Sequence, residues 1–109
     1  MVTVDTFRSI ALSFPDAEES PHFHRMSFRI KRKIFATLDA QQKIVVVKFT
    51  AVDQSAFCAF DASVIRPVKG AWGRRGWTEI DLAKVRRNTL LDAVTTAYAT
   101  VGTQLPPKK

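Results

Sequence analysis

The middle of the chain holds three runs that alternate or are β-branched, separated by connections too short for a crossover. In Ser27-Phe28-Arg29-Ile30-Lys31, Phe28 and Ile30 face one way and Arg29 and Lys31 the other. Ile34, Ala36 and Leu38 repeat that period against Lys33, Phe35 and Thr37, and Ile44 to Phe49 is apolar and β-branched. Lys31-Arg32 and Asp39-Ala40-Gln41-Gln42 are the intervening turns. Parallel neighbours need a crossover of about a dozen residues or more, so these runs form an antiparallel meander. The alternation places Phe28 and Phe35 on opposite faces. The last run is apolar on both faces and belongs in the sheet interior.

Helical periodicity brackets the meander. Val4, Phe7, Ile10, Ala11 and Phe14 predict a helix over 3–14, with Thr3 as N-cap, Asp5 at the positive end of the dipole and Pro15 as the stop. Asp16 to Pro21 reads as an acidic surface connection. Thr50-Ala51-Val52-Asp53 has the form of a capping box and opens a helix over 51–60, with Val52, Ala56, Ala59 and Phe60 as its stripe. A brief strand over 63–67 ends at Pro67, which has no backbone donor and so marks an edge. Gly70, Gly73 and Gly76 make 68–76 a loop. Trp77 to Leu82 form a strand with Thr78, Ile80 and Leu82 toward the core. Leu90, Leu91, Val94, Ala97, Tyr98 and Val101 mark a closing helix over 87–103, with Asn88 as its candidate cap.

The expected architecture is therefore α+β: a two-layer sandwich in the order α-β-β-β-α-β-β-α, with one five-stranded antiparallel sheet. Phe7, Ile10, Leu90, Val94 and Tyr98 should pack the first and last helices on the same sheet face. A chain of 109 residues supports one domain, expected over 1–105, with 106–109 as a flexible tail. Cys58 is the single cysteine, which excludes an intrachain disulfide and a cysteine-rich zinc site. Charged residues interrupt the first twenty positions, and the longest apolar run is Ile44 to Val47. Neither a signal peptide nor a membrane span fits, and the expected setting is a reducing cytoplasm.

Several motifs in this order carry a resemblance. Ala11-Leu12-Ser13-Phe14-Pro15-Asp16-Ala17-Glu18-Glu19, Phe28-Arg29-Ile30 with Lys33-Ile34-Phe35-Ala36-Thr37-Leu38, Gly76 to Leu82, and Ala97-Tyr98 resemble the MmcQ/YjbR-like family of small bacterial proteins. The resemblance spans about residues 3–101. It implies an α+β fold similar to secretion chaperones and to the frataxin-like sheet. It also brings a DNA-binding label that rests on structural analogy, and no catalytic set. Arg32 departs from the family pattern, which carries Gly at that turn. If the turn needs positive φ, Arg32 is strained or the turn is rearranged.

Charge is distributed unevenly within a formal net charge of +7. Residues 1–24 are net acidic, whereas 25–48 carry seven basic side chains against Asp39, and 63–87 carry seven against Glu79 and Asp81. Basic groups that converge make a phosphate footprint; dispersed, they are an ordinary solvated surface. The candidate nucleic-acid contacts are Arg29, Lys31, Arg32, Lys33, Arg74 and Arg75. The helix over 51–60 has no Lys or Arg, which argues against base readout in a major groove. Trp72 either covers a core edge or offers a hot spot to a protein partner.

Other chemistries find little footing. His22 and His24 have no further ligand at metal spacing, so no metal is expected. Cys58 sits among apolar residues and reads as a small buried hydrophobe. Glu79 and Asp81 share a strand face without a pocket, and the Gly-rich stretch lacks the Gly-Lys-Ser/Thr of a Walker motif. No enzyme activity, cofactor or membrane partner is expected. What remains is a small binding protein whose partner is either DNA, engaged weakly and independently of sequence, or another protein, engaged in a chaperone-like way.

Overall fold

In a computed structural model the described residues are 1–103. The tail expected over 106–109 and the domain limit at 105 lie outside them. The chain runs α1 (Val4–Leu12), β1 (Ala17–His22), β2 (Arg25–Ile30), β3 (Lys33–Asp39), β4 (Ile44–Lys48), α2 (Ala51–Phe60), β5 (Ile65–Pro67), α3 (Ala71–Arg74), β6 (Trp77–Asp81) and α4 (Arg87–Thr103). One six-stranded sheet has the order β1-β2-β3-β4-β6-β5, with every neighbouring pair antiparallel.

This corrects the expected five strands and the α-β-β-β-α-β-β-α order in two places. The acidic segment is not a surface connection: Ala17 to His22 pair along their whole length with β2. Its composition is poor for a strand and includes Pro21, which an edge strand tolerates because one side of its ladder is unpaired. Asp16 at φ 63° reverses the chain into β1, and Phe23 at φ 58° turns it out again. Inside the glycine-rich stretch, Ala71 to Arg74 form one helical turn.

Local signals place the helix starts. Thr3 Oγ1 accepts from Thr6 N at 3.1 Å, and Thr50 Oγ1 accepts from Asp53 N at 3.1 Å. Each satisfies a backbone donor that the first turn leaves unpaired. Asn88 is not a cap; it lies within the first turn of α4.

The helices bury one sheet face. Phe7 of α1 meets Phe28 edge-on at 5.2 Å, and Tyr98 of α4 meets Phe35 edge-on at 5.5 Å and stacks on Phe14 at 4.7 Å. The Tyr98 hydroxyl also donates to Pro15 O at 2.7 Å, tying α4 to the end of α1. Phe28 and Phe35 thus share the helix side, against strict alternation. The β2–β3 register slips between Phe28, opposite Ala36, and Arg29, opposite Ile34, leaving Phe35 as the extra residue of a bulge. Consecutive Phe35 and Ala36 are consequently both fully buried.

The stripe read along 51–60 does not face the core either. No residue of α2 is buried, and Val52 and Phe60 are 78% and 72% exposed. The helix docks through Phe57, stacked on Phe49 at 4.8 Å, and through Gln54, whose Nε2 donates to Gly73 O at 2.9 Å and Thr78 Oγ1 at 3.1 Å. Cys58 is only half-buried.

Candidate functional site

The sheet face opposite the helices carries the chain's concentrated charge. Transverse rows of paired residues alternate between faces. The row Ile65, Ile80, Val45, Leu38 and Met26 points to the helices, and the row Arg66, Glu79, Val46, Thr37 and Ser27 points away. On that outer face Trp77 pairs with Lys48, and beyond the bulge Ile34 pairs with Arg29. The bulge thus buries Phe35 and sets Ile34 in its place opposite Arg29 on the outer face.

Arg29, Ile34, Lys48 and Trp77 line an open groove of about 530 Å³ with His22, Lys31, Arg32, Lys33 and Val101 of α4, so the groove runs from the outer face round the hairpin end of the sheet to the helix side. Among the described residues, five of the nine lining side chains are Lys or Arg, and none is Asp or Glu. The two ion pairs found among the described residues, Arg8 with Glu19 and Arg66 with Glu79, do not involve Arg29, Arg32, Lys33 or Lys48. Glu18 faces Arg29 across the β1–β2 ladder but is not part of the lining.

Local structure fixes where the cations stand. Arg29 Nε donates to Ser27 Oγ at 3.0 Å, and Ser27 Oγ donates to Ser20 O at 2.9 Å, so the guanidinium lies back along the sheet. Lys31 and Arg32 form the two-residue turn with φ of 47° and 72°. Both central residues at positive φ make the turn whose twist suits a hairpin, here built without Gly or Asn. Lys48 Nζ lies 5.4 Å from the Trp77 ring centre and donates to the Arg75 carbonyl. Burial, and then the charge of Arg75, push the Lys48 ammonium below its ordinary pKa. An anion in the groove would offset both.

The chain matches the YjbR family model over residues 12–100. It belongs to the YjbR family. The fold is similar to that in the crystal structure of the Deinococcus radiodurans protein DR2400, which contains the family-model domain DUF419. The TM-score is 0.86 at 20% identity, covering 99% of this chain and 84% of that one. No curated protein matches the chain significantly.

In this YjbR-family chain, the turn position expected to carry Gly keeps its geometry and takes the strain at Arg32. Of the six sequence-derived contacts, Arg29, Lys31, Arg32 and Lys33 line the groove and Arg74 and Arg75 do not. Arg74 ends α3 and is exposed. Arg75 connects to the groove through Lys48 and places its cation 5.8 Å from the Trp72 ring. Trp72 is 59% exposed and meets Trp77 edge-on at 6.3 Å. Lys48 and His22 were missed. Lys48 is the one charge in an apolar strand, but its position beside Trp77 depends on β4 pairing with β6, about thirty residues along the chain.

The remaining candidates do not assemble. His22 sits at the end of β1, whereas His24 lies in the following turn, and no group of three or more His, Cys, Asp or Glu among the described residues is placed to hold a metal. Partial burial pushes the Cys58 thiol up, away from the reactive thiolate. No helix among the described residues is long and apolar enough to cross a membrane.

Proposed function

We propose that this protein is a non-enzymatic binding protein that engages the phosphate backbone of nucleic acid through the groove at the hairpin end of the sheet. The observation that carries this reading is the convergence of Arg29, Lys31, Arg32, Lys33 and Lys48 on one open groove with no Asp or Glu among its described lining residues. Convergent cations bind phosphates and release counterions, which gives affinity without sequence discrimination. The absence of Lys and Arg from α2 fits that mode. Arg74 and Arg75 belong to the periphery of this surface.

A labelled duplex of arbitrary sequence, titrated at several salt concentrations, tests the proposal. With about four phosphates contacted, log affinity falls against log salt with a slope of roughly −3.6, or roughly 150-fold between 50 and 200 mM salt. Charge reversal Arg32→Glu should weaken binding to all duplexes alike, and more than Arg74→Glu does. No binding at about 50 mM salt removes the nucleic-acid reading. The protein-interaction alternative then becomes the better account, favoured by exposed Val52 and Phe60 on α2 and by Trp72.

A further inference from the structure

Backbone-phosphate binding leaves the exposed ring of Trp72 without a role. Trp72 occupies a four-residue helical turn that close backbone packing holds in place. A Cβ on Gly73 would lie 1.8 Å from Val68 O, and one on Gly76, at φ 101°, would lie 1.9 Å from Phe49 O. Gly70 enters the turn at φ 80°. Gln54 of α2 also donates to the carbonyls of Gly73 and Trp77, at 2.9 and 3.3 Å. Close backbone contacts at Gly73 and Gly76 hold the turn that carries the indole, and the ring itself meets Trp77 and Arg75. It still keeps 59% of its surface exposed, so its ring is not serving as a core lid.

Its surroundings give the exposed ring a chemical direction. The Trp72 edge rests on Trp77, which lines the groove, and the cations of Arg75 and Lys48 lie 5.8 and 5.4 Å from the two ring centres. Moving outward from the groove, a ligand meets clustered cations, then one indole with its cation, then a second indole open to solvent. A cationic track ending in an ordered aromatic face is the combination that holds a backbone and stacks a base.

Resting on the nucleic-acid reading above, we infer that Trp72 is a stacking platform for an unpaired nucleobase, so that the groove's preferred ligand is single-stranded. In a duplex the bases stack on one another and turn their faces from the protein. A single strand can lay its phosphates along Arg29, Lys31, Arg32, Lys33 and Lys48 and turn one base onto the indole.

Three probes separate this inference from the reading beneath it: a short labelled oligothymidylate, an abasic deoxyribose-phosphate oligomer of equal length, and a duplex, all at matched low salt. The oligothymidylate should bind roughly 5- to 150-fold more tightly than the abasic oligomer, the range for one stacked base. Trp72→Ala should remove that excess and leave the abasic and duplex affinities unchanged, and Trp72→Phe should retain much of it. Thermal melts confirm that each variant is folded. Equal binding of oligothymidylate and abasic oligomer, or a Trp72→Ala loss shared by all three probes, overturns the stacking role while backbone binding stands. Failure of every probe to bind overturns both.

Discussion

Arg32→Gly should make this protein more stable and a weaker binder at once. Arg32 sits at φ 72°, in the left-handed region, where an L side chain costs roughly 1–2 kcal/mol because its Cβ crowds the following carbonyl. Glycine removes that cost but enlarges the unfolded ensemble, a penalty of roughly 0.5–1 kcal/mol. The net gain is about 0.5–1 kcal/mol, which for a chain of this length raises Tm by roughly 2–4 °C. The same substitution removes one of the groove's five cations, so the slope of log affinity against log salt should become shallower by about 0.9. Arg32→Ala is the control. It removes the same charge but keeps a Cβ at positive φ, so it should lose binding equally without gaining stability. Relief of repulsion from Lys31 and Lys33 would stabilise both variants, but that contribution is screened at high salt. Denaturant melts at high salt therefore isolate the backbone effect, with unchanged m-values expected. Equal stability of Arg32→Gly and Arg32→Ala under those conditions would refute the strain argument. An unchanged salt slope would refute the place of Arg32 in the groove.

Two further outcomes follow from the fold. Gly76→Ala should destabilise by more than about 2 kcal/mol, because the added Cβ meets the Phe49 carbonyl and φ is 101°; a Tm within one or two degrees of wild type would show that the α3–β6 junction relaxes easily. Cys58 should react slowly with a thiol reagent in the native state. Its folded pKa is raised by burial, so it contributes stability below the ordinary thiol pKa that is lost as pH rises through the folded value. Cys58→Ala should flatten that alkaline decline, and an unaltered stability profile would count against the assignment.

Cation placement at the hairpin turn trades local stability for a surface charge. Lys31 and Arg32 at positive φ are a local inconsistency between sequence and backbone, which in folded proteins tends to accumulate where binding is done. The groove shares this character at Lys48, whose ammonium is disfavoured by burial and by Arg75. Both features bear on the same few square nanometres of sheet.

Sequence alone determined whatever is settled within a few residues. Thr3 and Thr50 cap helices because each hydroxyl needs only the amide three residues on. Short turns compel Arg25–Ile30, Lys33–Asp39 and Ile44–Lys48 to run antiparallel, and Pro67 confines β5 to an edge. Four of the groove's cations were visible as one cluster because a hairpin holds them together in the chain. Tertiary structure decided the rest. Ala17 to His22 become a strand only because β2 offers its open ladder, against their own propensity. The bulge at Phe35 shifts the register by one residue, which sends Phe35 under α4 and sets Ile34 opposite Arg29 on the outer face, a choice alternation cannot express. The α2 stripe stays outside because Phe49, Gly73 and Thr78 hold the helix by Phe57 and Gln54 instead. Lys48 reaches Trp77 only through the non-consecutive pairing of β4 with β6. Hydrogen bonds and turns close over short loops and can be read locally, whereas strand insertion and face assignment depend on partners distant in the chain, whose contacts exist only once the sheet has formed.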